Sequence, residues 1–560
     1  MGTGKETGIG VQDSRLAERG VSRLLEVEGD GATSRSSSSP NRAGLGATLP
    51  HATVLQRRKR LFFCETRTPN PESRNARLIR SVELLVALVL LLVPCTWARD
   101  RQYPPTVPAP KPMVLPAPTE RTLSNGLRVV AIERHSLPIV TLRLVAKAGA
   151  EADPPNLSGT AGFVAGLLDE GTTSRTSLQI AELVDQAGGV IDTGADWDES
   201  YVSLSVLADH ARMAFDLVAD MATRPAFTPG EIERGRQQLL SSLEILHRDP
   251  SYLADAIFAQ AIFAGTPYNH TAEGTLDSVR RITRDDLRRF HELNYRPGNS
   301  ILAVVGDISA ADAFARAEGS FGSWKEEAAS IPDPAPRQES QPPLPGRQII
   351  VIDKPDAVQT EIRVGNRAIR RNSPDYDALT MANQILGGPA TNRLFHSLRS
   401  EHGLTYGASS DLVSHATVGS WVAKTSTRTP ETMKALNLIL DEMKRLRDHE
   451  PSDAEWDATR SYLTGHLALE FETSEDIASQ VLQLMVYNLP LDYWNNFPAS
   501  LDNVNRQEAW DRIRQYLDPD RALIVLVGNA SGFEKDVRKL GDTRIIPISA
   551  LHLSAAGDWK

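Results

Sequence analysis

Metal chemistry on a helix needs two histidines four residues apart, so that both imidazoles leave one face, and a glutamate beside them to activate a bound water. The body of this 560-residue sequence has no such pair. Its histidines are His135, His210, His247, His270, His291, His396, His402, His415, His449, His466 and His552, and neither H-E-x-x-H nor H-x-x-E-H occurs. His396 and His402, six apart near a helix end, leave on different faces. Asp169 and Glu170 are adjacent and point apart, which reads as a solvated helix end rather than an acid–base dyad. Arg399 and Tyr406 stand seven residues apart in "NRLFHSLRSEHGLTYGASSDL", a segment that reads as a helix ending near Gly403 and a strand from Leu404. By themselves they have a plain structural reading: arginine complements a helix C-terminus, and tyrosine is a common strand residue.

A second segment, "GTAGFVAGLLDEGTTSRT" (159–176), looks like a helix from which chemistry has been removed. Phe163, Leu167 and Leu168 share one side, and Gly171–Thr172 is a stop. Yet Gly162, Ala165 and Gly166 offer no functional group, and the two glycines cost helix stability.

The elements that must position these residues follow from pattern and composition. A net charge of −10 with no basic block in the folded part excludes a nucleic-acid binder. The two cysteines, Cys64 and Cys95, lie near the N-terminus, so the body has neither disulfide nor thiolate metal site. Residues 1–76 are biased and aperiodic, as a disordered leader is. In 77–98, Arg77 and Arg80 precede an apolar run from Leu84 to Pro94 and a small-residue end at Thr96-Trp97-Ala98. That arrangement predicts a secretory signal, or an uncleaved membrane tether through 84–94. Export follows, to the periplasm or to the outer face of the inner membrane. Residues 99–119 form a proline-rich tether.

The body divides at a second proline-rich stretch, 330–347. Helices are expected over 159–170, 177–187, 208–223, 229–247, 251–263 and 284–293, and strands over 188–194, 199–206 and 300–306. "TLSNGLRVVAIER" and the following "PIVTLRLVAKAG" read together as a hairpin at a sheet edge, turning at Asn125-Gly126. The pattern then restarts. "YRPGNSILAVVGDIS" from Tyr295 matches "YLDPDRALIVLVGNAS" from Tyr516, and "FTPGEIERGRQQLL" aligns with "PSDAEWDATRSYLT" through Thr228 with Ser452, Glu231 with Glu455 and Arg236 with Arg460. The fold class is therefore α+β, with two homologous domains (120–329 and 348–548), each a mostly antiparallel sheet packed with helices.

Together "LSNGLRVV", "GTAGFVAGLLDEGT", "FTPGEIERGRQQL", "YRPGNSILAVVGD" and "LGGPATNRLFHSLRSEHGLTYGASS" resemble the pitrilysin/insulinase zinc metallopeptidase family, in the two-domain, clamp-like form of processing peptidases. The resemblance covers roughly 120 to 545. Active members carry H-x-x-E-H on the first helix, and those three positions fall here on Gly162, Ala165 and Gly166. The third metal ligand, a glutamate on a later helix, falls on Ser242, and another family glutamate falls on Gly235. Glu244 lies about 200° around a helix from Ser242 and does not replace it. The resemblance thus implies no zinc in this chain. It also implies a role for Arg399 and Tyr406 as donors to the scissile carbonyl as it becomes tetrahedral. The zinc would come from an H-x-x-E-H partner in a heterodimer that hydrolyses peptides. A structural or assembly protein of the same fold, or a peptidase with other ligands, are the alternatives.

Overall fold

A computed structural model describes residues 114–325, 342–388 and 392–553. The leader, the signal or anchor segment, most of the tether and most of the linker lie outside the described residues. Among the described residues no helix is long and apolar enough to cross a membrane.

The N-terminal half contains β1 (Thr119–Thr122), β2 (Arg128–Glu133), β3 (Ile139–Ala146), α1 (Thr160–Ala165), α2 (Ser177–Gln186), β4 (Val190–Ala195), β5 (Ser200–Leu207), α3 (Ala211–Thr223), α4 (Pro229–Leu246), α5 (Pro250–Ile262), α6 (Leu276–Arg281), α7 (Arg284–Asn294), β6 (Ser300–Gly306) and α8 (Ala310–Phe321). The C-terminal half contains β7 (Gln348–Asp353), β8 (Gln359–Ala368), α9 (Tyr376–Gly387), α10 (Arg393–Phe395), β9 (Ala408–Ser414), β10 (Gly419–Arg428), α11 (Thr432–Asp448), α12 (Asp453–His466), α13 (Ser474–Val486), α14 (Tyr493–Asp502), α15 (Arg506–Tyr516), β11 (Leu523–Gly528), α16 (Glu534–Val537) and β12 (Asp542–Pro547).

The strands form two six-stranded sheets, ordered β1-β2-β6-β3-β5-β4 and β12-β7-β11-β8-β10-β9. Five strands correspond between the halves; the outer edges differ, since β1 runs antiparallel to β2 whereas β12 runs parallel to β7. Most pairings are antiparallel, and the duplicated α+β design is present as expected. Its sequence matches have physical causes. Thr228 and Ser452 both cap the helix that follows, each accepting from the backbone N–H of the glutamate three residues on. Gly306 and Gly528 end equivalent strands where a Cβ would strike the neighbouring strand, at Ile139 and Thr360.

One expectation is corrected. Asn125-Gly126 does turn β1 into β2 at a sheet edge, but β3 does not pair with β2. Strand β6 inserts between them, parallel to β2 and antiparallel to β3. Both β2 and β6 are apolar on both faces, and the sheet centre is where such strands belong.

The second face of each sheet is covered from the other half. Helix α13 lies on β3 and β6, and α5 lies on β8 and β11. Val130, Ile132, Ala303 and Val305 of the first sheet therefore share a core with Ile477, Val481 and Leu482. Leu253, Ile257 and Phe258 share one with Ile350, Val525 and Val527. Where the halves meet, Asp198 accepts from the hydroxyls of Tyr268 (2.6 Å) and Tyr487 (3.0 Å) and from the Ala416 N–H (3.3 Å). His415 stands 3.6 Å away and stacks on Tyr268. The proline-rich linker is thus one of several ties between the halves.

Candidate functional site

Helix α1 is shorter than its pattern predicts, ending at Ala165 rather than near 170. The cause is visible in its hydrogen bonds. Gly166 N–H still reaches Gly162 O (2.9 Å), but Leu167 and Leu168 bond three residues back, to Val164 and Ala165 (3.1 Å each). The last turn tightens after two poor helix formers, and Leu167 and Leu168 are carried into the core. At the other end, Asp153 accepts from the N–H groups of Gly159 (2.6 Å) and Ala161 (2.8 Å). Burial nevertheless pushes its carboxyl up to about 8.

Gly162 and Gly166 are exposed and Ala165 is fully buried. A Cβ on Gly162 would meet nothing within 4 Å, and one on Gly166 would meet the helix's own Gly162 and Phe163 carbonyls. Space for side chains exists at both glycines; donor atoms do not. Helix α4 passes α1 with Gly235 against it: a Cβ there would stand 3.1 Å from the Phe163 ring. Arg236 extends over the same ring. Ser242, two turns further along α4 and on the same side as Gly235, is half-buried. These residues do not fit a zinc ion. Gly162, Ala165 and Gly166 carry no ligand atom, and one hydroxyl at Ser242 makes no coordination shell. Among the described residues, no group of three or more His, Cys, Asp or Glu is arranged to hold a metal.

Asp169 is a second correction. Rather than a solvated helix end, its carboxyl is half-buried, and burial with Glu170 beside it pushes its pKa up to about 6. Glu170 turns away to an ion pair with Arg234 on α4.

The C-terminal pair is brought together. Helix α10 continues into a π-helical turn, His396–Glu401, that carries Arg399. Wide turns of this kind are frequent at functional sites. Gly403, at φ 60, ends the helix. The strand then begins at Ala408, not Leu404, leaving Tyr406 in a loop. Thr405 explains the delay: its hydroxyl donates to Gly407 O (2.7 Å) and accepts from Gly407 N–H (3.1 Å), replacing strand bonds with a local turn. The Arg399 guanidinium carbon lies 4.6 Å from the Tyr406 ring centroid and 4.8 Å from that of Phe395. Tyr406 is 77% exposed. The neighbouring Arg393 is spent on Glu455, at 2.7 and 3.1 Å. Arg399 has no such carboxylate among the described residues. Phe395 was not singled out in the sequence, although its spacing of four from Arg399 is the signal that finds it.

The family sequence model for the insulinase family (peptidase family M16) matches residues 128–275, and that for the peptidase M16 inactive domain matches 281–463. A protein named as an uncharacterized zinc protease from Mycobacterium leprae is 26% identical over 360 residues, covering 64% of this chain and 80% of its own length. A protein named as a non-peptidase homolog from Helicobacter pylori is 22% identical over 406 residues, covering 72% of this chain and 91% of itself. The crystal structure of a peptidase M16 inactive domain from Pseudomonas fluorescens superposes with a TM-score of 0.68 at 28% identity, over 73% of this chain and 97% of that one. The chain belongs to the insulinase (M16) peptidase family, as a peptidase-like member.

Proposed function

We propose that this chain is the zinc-free subunit of a heterodimeric M16 peptidase, in which Arg399 and Tyr406 donate to the oxyanion formed at zinc held by an H-x-x-E-H partner. The carrying observation is the pair itself: a guanidinium with no carboxylate partner among the described residues, against an exposed phenol, on a chain whose helix α1 offers no ligand side chain at Gly162, Ala165 or Gly166. In a peptidase of this class the metal supplies a nucleophilic hydroxide and polarises the carbonyl. This chain's part is to offer N–H and O–H groups where negative charge develops. Peptides are the substrate class. Residues 77–98 support export, to the periplasm or to the outer face of the inner membrane.

The test is co-purification with a neighbouring H-x-x-E-H protein, then kinetics of the complex. Tyr406→Phe removes one hydroxyl and keeps the ring; Arg399→Ala removes the guanidinium. Each should lower kcat by about 10²–10³ while assembly and zinc content hold. Full activity in both variants would reject the catalytic reading. It would favour a structural or assembly role, the reading that the non-peptidase name of the Helicobacter pylori relative supports.

A further inference from the structure

We propose that Phe395 is a positioning residue for Arg399, fixing the guanidinium between a helix and a loop before substrate arrives; this rests on the reading of Arg399 and Tyr406 as oxyanion donors. Three observations carry it. First, Phe395 is half-buried yet belongs to none of the hydrophobic cores among the described residues, whereas its neighbours Leu394 and Leu398 are core residues. Its ring lies under the Arg399 guanidinium, whose carbon is 4.8 Å from the ring centroid. Second, the Arg399 guanidinium has no hydrogen-bond or ion-pair partner among the described residues, so two aromatic rings are what orient it. Third, both rings are themselves held. Phe395 ends the turn capped by Asn392, whose side chain accepts from the Phe395 N–H at 2.7 Å. Arg393 ties that turn to α12 through Glu455; burial works against this charge, yet the bonds from Arg393 and Ser452 hold its carboxyl down at about 2. On the other side, Thr405 stiffens the Tyr406 loop and accepts from the Thr425 hydroxyl of β10 at 3.0 Å.

An arginine stacked on rings keeps its N–H groups at the edge of the plane, free for an oxygen. A free arginine on the surface samples many rotamers, and only a fraction would aim that edge at the reacting carbonyl. Ring contacts restrict the choice without consuming a donor. A carboxylate partner would orient the side chain too, but by occupying the N–H groups that the oxyanion needs.

The experiment has two arms. In the full chain, NMR relaxation of the arginine Nε–Hε groups should show Arg399 as ordered. Phe395→Leu, which keeps apolar bulk but removes the π face, should mobilise it, and Phe395→Tyr should not. An Arg399 Nε–Hε already as mobile as other exposed arginines in the wild-type chain overturns the proposal without any variant. In the zinc-containing complex, Phe395→Leu should lower kcat by roughly 10–100-fold with little change in KM, and Phe395→Tyr should restore it. If Arg399→Ala lowers kcat but Phe395→Leu does not, positioning is wrong and the oxyanion reading stands. If Arg399→Ala changes nothing, the oxyanion reading falls, and the relaxation data decide the orientation separately.

Discussion

Arg143 and Arg363 occupy equivalent places in the two central strands β3 and β8, and each reaches the first turns of a helix belonging to the other half. Arg143 bonds Glu475 of α13 at 2.8 Å. Arg363 bonds Asp255 of α5 at 2.7 Å and the Ser251 hydroxyl at 2.8 Å. Both arginines are nearly buried. The exchanged helices are thus oriented by charge as well as by packing.

Removing one partner of such a pair leaves the other uncompensated. Arg143→Ala takes the cation from the buried Glu199 as well as from Glu475 and should destabilise the chain by about 3–5 kcal/mol; Arg363→Ala should cost somewhat less, since Asp255 is more exposed and keeps Lys424. Urea unfolding should show both halves melting in one transition. Two separate transitions would show that the exchanged helices do not couple them.

The meeting point at Asp198 predicts a dependence on acid. Burial alone would raise its pKa, but the bonds from His415, Tyr268 and Tyr487 outweigh it and hold the carboxyl below its ordinary value. A carboxyl depressed in the folded state contributes stability above the unfolded value of about 4, and loses it as pH falls through the folded one. Asp198→Asn should therefore cost stability at neutral pH and flatten the loss below about pH 5. Thermal melts of both proteins across that range test it.

Asp169 has the opposite sign. Its folded pKa of about 6 lies above the unfolded value, so its ionisation opposes folding increasingly as pH rises toward neutrality. Asp169→Asn should raise stability at pH 7 by roughly 1–3 kcal/mol and leave it nearly unchanged near pH 4. Equal gains at both pH values would mean that charge is not the cause.

Gly162 is a helix position with open space where a side chain would stand. Gly162→Ala should stabilise the isolated chain by about 0.5–1 kcal/mol. Restoring the whole motif, as Gly162→His, Ala165→Glu and Gly166→His, should bind no zinc tightly. Ser242 offers only a hydroxyl beside α1, and a glutamate at the buried position 165 must enter the core. Elemental analysis after dialysis decides this.

Much of the fold was legible because its signals are local. Thr228 and Ser452 announce their helices, Asn125-Gly126 its turn, and strands such as 300–306 their apolar faces. The long-range pairings were not legible: nothing within "RVVAIE" says that its neighbour is β6 rather than β3. That the side chains of Gly162, Ala165 and Gly166 carry no ligand atom follows from residue type alone. By contrast, the surroundings of Arg399 depend on where a loop folds back. Thr405 delays the strand, and the Tyr406 ring arrives beside the guanidinium only because of that turn.

The reciprocal placement of α5 and α13 makes the chain resemble two interlocked molecules joined by a thread. Co-expressed as separate polypeptides, 114–325 and 342–553, the halves should find each other and form a 1:1 pair, because each carries the cover the other lacks. Either piece produced alone would expose one whole face of its sheet, and aggregation is the outcome to expect. The covalent connection then serves chiefly to guarantee stoichiometry during folding, and circular permutation through that joint should be tolerated.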